Sequence, residues 1–363
     1  MRLTFASTVL GLALALTACG EGAGSPPAVT ATPERTTLVL YDWAEDLPQT
    51  VLDAFEAEYG VKVAYQTYES QEEAVEALRT GKPVDVAVIE HDFLAPLLAR
   101  GLLAELDFRN LPNFKNVLPN FRDHAVDPGN RHSVPYQYGT TGLLVRTDLV
   151  DPPVTSWADL WDPRLAGKVA LRADQPRELR SVAMLGLGLP PQSEDVAHLE
   201  AAGARLESLL AQAIAVAPER SEAVPVLLSG QAAVLLGWAD DYRLAKAEGG
   251  QVDYVVPREG ALLWFNSYTV PASSRHRAAA ERFINFLLRP EVSAEIANYN
   301  EYATVNEAAL AHVRDELRGD PAIYPPPAVL AGAHPFLSLS PQGEQVFEGL
   351  WRRVRATLKP EGS

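Results

Sequence analysis

Several predicted strand ends carry an indole next to carboxylates. Trp43 stands in Asp42-Trp43-Ala44-Glu45-Asp46, and Trp238 in Gly237-Trp238-Ala239-Asp240-Asp241. Trp264 lies two residues before Asn266, and Glu90-His91-Asp92 puts two more acids at another strand end. An indole face attracts a cation by about 0.5–2 kcal/mol, more when dry. A carboxylate meeting an ammonium forms a charge-assisted hydrogen bond of about 1.5–3 kcal/mol. Rings that enclose methylenes and acids that hold the charged ends suit an aliphatic amine. A lone tryptophan is more often core, and Trp157, Trp161 and Trp351 are assigned to packing.

Catalytic signatures are missing. The chain has no G-x-S-x-G elbow, no P-loop and no G-x-G-x-x-G; Gly186-Leu187-Gly188 is only a fragment. The one cysteine, Cys19, excludes an intrachain disulfide and a Cys-rich zinc site. The seven histidines show no helix-borne metal pair. The expectation is a binding protein with no catalytic residue, no metal and no cofactor.

The elements that must position these residues follow an α/β pattern. Thr37–Tyr41, Val61–Thr67 and Asp85–Ile89 read as strands, separated by helical spacing over Pro48–Tyr59 and Gln71–Arg79. Strand–helix–strand units imply a mostly parallel sheet with covered faces, and ligands there sit beyond the carboxyl ends of the strands. A second unit follows Tyr136, with strands at Leu143–Val145, Lys168–Leu171 and Ala232–Leu236 and helices at Arg177–Leu187 and His198–Ile214. Leu262–Phe265 and Tyr268–Val270 form two short runs around Asn266-Ser267. A helix over Pro341–Leu358 is expected to close the second unit.

The 363 residues suffice for two cores of roughly 100–200 residues each. Asp plus Glu outnumber Lys plus Arg by 47 to 31, a formal charge of -16. This argues against a nucleic-acid or anionic-lipid surface and is compatible with a cationic ligand. At the N-terminus Arg2 precedes an apolar run, Val9–Leu16, too short to span a bilayer. Leu16-Thr17-Ala18-Cys19 resembles a bacterial lipobox, which implies that Cys19 is acylated and becomes the mature N-terminus. Gly20–Arg35 is small and polar, a tether unsuited to folding.

Six segments carry a resemblance to a known family. They are Asp42-Trp43-Ala44-Glu45, Thr67-Tyr68-Glu69-Ser70, Ser133-Val134-Pro135-Tyr136, Thr155-Ser156-Trp157-Ala158-Asp159-Leu160-Trp161, Pro257-Arg258-Glu259-Gly260 and Ile284–Val292. In order and spacing they resemble the spermidine/putrescine-binding proteins of bacterial ABC transporters. The resemblance implies a two-lobed α/β fold of the type II periplasmic-binding-protein kind, with the ligand between lobes that close by a hinge. It divides the chain into a signal peptide (1–18), a tether (19–35), lobe 1 (36–141 plus 266–310) and lobe 2 (142–265 plus 311–363). It implies a polyamine ligand, a membrane permease as partner, a monomer, and a periplasmic or outer-face location anchored by lipid.

By the same resemblance Trp43, Trp238 and Trp264 form an aromatic box, Tyr302 is a further contact and Glu178 anchors an ammonium. Departures are equally specific. The family has an acid where Asn266 stands, an aromatic where Asp46 stands, and small or aromatic residues at the positions of Glu90 and Asp92. A second helix acid aligns with Gln175, beside Asp174, and a glutamine aligns with Leu337. Asp46, Glu90 and Asp92 are candidates for replacing the charge missing at Asn266. Another organic cation or small amine is the alternative ligand. A ferric-ion receptor would call for adjacent tyrosines, which this chain lacks, and an enzyme for a nucleophile and base.

The lipobox reading predicts that Cys19→Ser abolishes acylation and moves the protein from the membrane to the soluble fraction. One acyl chain alone binds marginally, so the wild-type anchor should carry more than one. Fractionation and mass spectrometry of the mature N-terminus check this; an unlipidated wild type would refute it.

Overall fold

The computed structural model describes residues 36–172, 175–216 and 220–356. Cys19, the signal and tether expected before residue 36, and Asp174 lie outside the described residues. The chain first forms β1 (Thr37–Trp43), α1 (Gln49–Tyr59), β2 (Lys62–Tyr68), α2 (Gln71–Arg79), β3 (Val86–Glu90) and α3 (His91–Ala99). Local chemistry sets the boundaries. Gly60 ends α1 at φ 67, a left-handed conformation that glycine adopts without strain. Ser70 caps α2 by accepting the Glu73 N–H. β1 pairs in parallel with both β2 and β3.

β4 (Ser133–Arg146) is a 14-residue strand that serves both halves of the molecule. The second half contains β5 (Val169–Arg172), α4 (Pro176–Gly186), α5 (Val196–Leu210), β6 (Ile214–Val216), α6 (Arg220–Leu228), β7 (Val234–Gly237), α7 (Ala239–Ala247) and β8 (Val252–Val255). β9 (Leu262–Thr269) returns to the first half, followed by α8 (Arg277–Leu287) and α9 (Pro290–Asn300). The strand order is β2-β1-β3-β9-β4-β7-β5-β6.

The expectation of a mostly parallel sheet holds at the two flanks, while the long central strands pair antiparallel and only His334–Pro335 joins β9 in parallel among the described residues. β5 is parallel to β6 and β7, but β9 is antiparallel to β3 and β4, and β4 is antiparallel to β7 and β8. The two runs expected around Asn266-Ser267 form one uninterrupted strand, because pairing with β3 and β4 on either side carries the backbone through those polar residues. The helix expected to reach Ile214 stops at Leu210. Ile214 instead pairs with Ala170 of β5, ladder bonds outweighing local helix propensity.

Two main hydrophobic cores lie on either side of the β4–β9 crossing. Leu38, Leu40, Phe55, Val88, Tyr268 and Phe283 belong to the first. Leu143, Trp157, Leu171, Val182, Leu206 and Leu236 belong to the second. Trp157 is fully buried, and Trp161 and Trp351 pack against the same core. Leu350 and Val354 of the C-terminal helix (Pro341–Arg355) are buried there too. The expected boundary at residue 311 needs correction. Val313, Leu317, Ala322 and Ile323 are buried in the first core, where the Tyr324 hydroxyl accepts the Thr304 N–H.

Gly142 marks the point where β4 exchanges β9 for β7 as its partner. A Cβ there would lie 2.8 Å from the Tyr254 ring and 2.9 Å from the Val255 carbonyl oxygen. Backbone yields less readily than the end of a side chain. Gly142→Val is therefore expected to destabilise by roughly 1–3 kcal/mol, read as a lower urea midpoint. Gly349→Ala, in open space within the C-terminal helix, should leave that midpoint unchanged or raise it.

Candidate functional site

Strand register builds the first wall. Glu90, the last residue of β3, lies opposite Asn266 of β9, and Asn266 lies opposite Gln137 of β4. Paired residues share a face, so the three side chains stand abreast. Trp264, two residues earlier on β9, shares that face and lies opposite Gly139. A Cβ on Gly139 would sit 2.2 Å from the Trp264 ring, so only glycine lets the indole lie there. Asn266 is 3% exposed, and among the described residues its Oδ1 has no donor and Trp264 Nε1 has no acceptor.

Asp46 is consumed within this wall. Its Oδ2 accepts the Tyr136 hydroxyl, and its Oδ1 accepts Gln137 Nε2 and Asn300 Nδ2, both at 3.0 Å. Burial raises its carboxyl above the ordinary value while these three hydrogen bonds pull the other way. The carboxylate ties the loop after β1 to β4 and α9. Asp42, fully buried, accepts the Trp43 N–H at 2.8 Å through Oδ1, while Oδ2 has no donor among the described residues. Burial, then the charge of Asp46, pushes its carboxyl well above the usual range. Trp43 is half-buried at the end of β1 and meets Tyr68 edge-on, ring centroids 4.7 Å apart.

The second wall starts from Arg172 at the end of β5. Its guanidinium grips Asp241 through two bonds of 2.8 and 3.0 Å, with both side chains all but inaccessible to solvent. It also lies 4.3 Å from the Trp238 ring centroid, a cation–π contact that covers one face of the indole. Asp241 accepts the Trp238 N–H at 3.0 Å as well, capping α7 and fixing the tryptophan backbone. Glu178, in the first turn of α4, is 7% exposed. Its Oε1 accepts Trp238 Nε1 at 3.2 Å and the Thr141 hydroxyl. Burial raises the Glu178 carboxyl; the hydrogen bonds from Thr141 and Trp238, and then Arg172, oppose the rise.

The walls meet through charged and aromatic contacts. Asp92, at the start of α3, receives Arg177 of α4 at 3.1 Å. Arg243 of α7 reaches Glu301 at 3.3 Å and Asp320 at 3.7 Å. Tyr302 lies edge-on to Trp264, centroids 5.0 Å apart, and its hydroxyl bonds to Asp240. Burial, followed by the charges of Asp240 and Asp241, holds that phenol far above its ordinary range. Glu90 receives no hydrogen bond on its carboxylate among the described residues. Burial, then the charges of Asp92, Glu72 and Glu178, raises it strongly, with Arg177 opposing.

The structure therefore joins Glu178 with Trp238, Trp264 with Tyr302, and Glu90 with Asn266. No ring contact links Trp43 to Trp238 or Trp264 among the described residues. Asp92 is present but paired with arginine. Sequence reasoning missed Arg172, Thr141, Gln137 and Asn300. Arg172 had a signal, a lone cation closing the apolar run Val169-Ala170-Leu171. Thr141 and Gln137 had none, because only Leu143–Val145 of their strand was read as β. Among the described residues no group of three or more His, Cys, Asp or Glu side chains is placed to hold a metal, and no helix is long and apolar enough to cross a membrane.

Known proteins resemble this chain over most of its length. The chain is 34% identical over 295 residues to a spermidine/putrescine-binding periplasmic protein of Escherichia coli, covering 80% of this chain and 84% of that one. It is 32% identical over 356 residues to a putrescine/agmatine-binding protein of Pseudomonas aeruginosa, covering 92% and 95%. Its fold superposes on a spermidine/putrescine ABC transporter substrate-binding protein of Streptococcus pneumoniae with a TM-score of 0.78 at 25% identity, covering 89% and 100%. These relatives are named as binding and transport proteins rather than as enzymes. The model of one family, bacterial extracellular solute-binding protein, matches residues 50–325. With two interlobe walls built on crossing strands and that match over most of its length, the chain belongs to the bacterial extracellular solute-binding protein family.

Proposed function

We propose that this protein is the substrate-capturing component of an ABC importer and binds a polyamine of the spermidine/putrescine class between its lobes. It works outside the cytoplasmic membrane as a lipid-anchored monomer held by Cys19, hands its ligand to a permease and catalyses no reaction. Trp43, Trp238, Trp264 and Tyr302 act as ring walls and Glu178 as an ammonium anchor.

One observation carries the reading. Glu178 is a buried carboxylate with only neutral hydrogen-bond donors, whereas Asp92 and Asp241 each hold an arginine. A buried charge with no hydrogen-bonded counter-charge is costly, and an ammonium group supplies one. The indoles add the apolar, cation-attracting surface that a chain of methylenes between ammonium groups needs. The ligands for which these relatives are named, spermidine, putrescine and agmatine, all belong to that chemical class.

Glu178→Gln is expected to weaken putrescine or spermidine binding by about 2–4 kcal/mol, the range for truncating one side of a desolvated charged pair. Calorimetric titration measures it. An unchanged dissociation constant would remove Glu178 from the site, and a wild type that ignores both polyamines would defeat the reading itself.

Affinity should also fall with acidification. Glu90 faces Asp92, Glu72, Glu178 and Arg177; Glu178 faces Thr141, Trp238, Arg172 and Asp241. The net effect raises both carboxyls above the ordinary carboxylate range in the ligand-free protein. They therefore favour the ligand-free fold when protonated, an effect lost as pH rises through their raised values. A bound ammonium needs them ionised, so its affinity runs the opposite way. The dissociation constant for putrescine is expected to increase steadily from pH 8 to pH 5; a flat profile would show that no raised carboxylate contacts the ligand.

A further inference from the structure

We infer that Asp92 and Arg177 form a latch that holds the two lobes together without touching the ligand, and that Glu344 of the C-terminal helix competes with Asp92 for the same guanidinium. Asp92 and Arg177 are thus positioning residues. They set how long the cleft stays closed, whatever small molecule fills it.

The pair joins the first turns of two helices from different lobes. Asp92 belongs to α3, which packs in the first half through Phe93, Leu94 and Leu97. Arg177 belongs to α4, which packs in the second core through Leu179 and Val182. Arg177 Nη1 lies 3.1 Å from Asp92 Oδ2, with the carboxylate 6% and the arginine 24% exposed. Its guanidinium carbon is also 4.1 Å from the Phe93 ring centroid, so two consecutive residues of α3 hold one side chain of α4. Low exposure spares this pair much of the screening that weakens surface ion pairs. A carboxylate in the first turn of a helix suits its dipole, and a cation there opposes it. Asp92 therefore suits α3, whereas Arg177 works against α4 and gains from partners outside that helix.

Those partners lie on both sides of the cleft. Arg177 Nη2 is 3.6 Å from Glu344 Oε1, on the C-terminal helix that packs within its own lobe. Arg180, three residues along α4, lies 5.2 Å from the ring centroid of Phe347, three residues along the C-terminal helix from Glu344. Residues three apart share a helix face, so these two edges meet and bring two guanidiniums beside the Glu344 carboxylate. Arg180 is 2% exposed, and its Nε and Nη1 have no acceptor among the described residues. Glu194, the next acid along this edge, is engaged by the Ser340 N–H and hydroxyl. The second lobe thus presents more positive charge here than Glu344 balances, and Asp92 meets it from the first lobe. When the lobes part, Asp92 withdraws and Glu344 is the carboxylate left to Arg177.

A contact made only with the lobes together slows their opening and leaves encounter with the ligand unchanged. The test measures putrescine association and dissociation by stopped-flow tryptophan fluorescence, and the ligand-free radius of gyration by small-angle X-ray scattering. It uses wild type, Asp92→Asn, Arg177→Gln, their double variant and Glu344→Gln. Asp92→Asn and Arg177→Gln should each release putrescine about three- to tenfold faster at unchanged association rate. Each should also have a larger ligand-free radius than wild type. The double variant should release no faster than the singles, because one contact is lost in all three. Glu344→Gln should slow release by about twofold, since Arg177 then has Asp92 alone. The two single variants remove the same contact from opposite lobes, so either one suffices if the other fails to fold. If Asp92 instead held the ligand, Arg177→Gln would remove a competing cation and slow release. That result, multiplying losses in the double variant, or unchanged or faster release in Glu344→Gln would each overturn the latch and leave the polyamine reading intact. A wild type that binds neither putrescine nor spermidine removes that reading instead; the ligand-free radii then decide the latch, and equal radii overturn it.

Discussion

The antiparallel pairing of β4 with β9 is the contact on which the rest of the molecule depends. Both strands run from one core into the other, so the register between them sets the cores and the cleft walls together. Side chains alternate across a strand, and a slip of one residue would turn Asn266 and Trp264 to the opposite face. Two glycines make the register affordable in space. Gly139 leaves room for the Trp264 indole, and Gly142 lets β8 approach where the partner strand changes.

Charge within the cleft is sorted by partner rather than by sign alone. Arg172 neutralises Asp241 and covers Trp238; Arg177 neutralises Asp92 and lies 4.1 Å from the Phe93 ring centroid. Buried ion pairs of this sort recover little net stability over apolar packing of the same volume. Their value here is positional, because Arg172 and the cap from Asp241 hold Trp238 where its Nε1 meets Glu178. Glu90 and Glu178 accept no hydrogen bond from an arginine among the described residues, and Arg177 and Arg172 act on them only at longer range.

Some of the contacts between lobes are weak: Arg243, which reaches Glu301 and Asp320, is about a quarter exposed. Pairs open to solvent contribute roughly 0–1 kcal/mol each, less in salt. Such contacts guide the lobes into one alignment without locking them. A ligand held by both walls supplies the remaining free energy of closure, which is how a hinge-closing binding protein couples capture to shape.

Much of this molecule was legible in the residues alone. Strand–helix alternation marked the flanking units, Gly60 and Ser70 marked helix ends, and indoles beside acids at strand ends marked the cleft. These are local signals, carried by periodicity and by residue type within a few positions. The long central strands were not legible, since β4 and β9 carry polar residues where an isolated strand would show apolar ones, and only their partners explain them. Nor could the sequence sort the acids. Asp46, Asp92, Glu90 and Glu178 are all carboxylates in the sequence, but in the fold Asp46 accepts three neutral donors, Asp92 is paired with arginine, and Glu90 and Glu178 accept no hydrogen bond from a base among the described residues. The reason is physical: a carboxylate's role is set by which donors lie within about 3 Å of it, and those donors come from segments tens to hundreds of residues away.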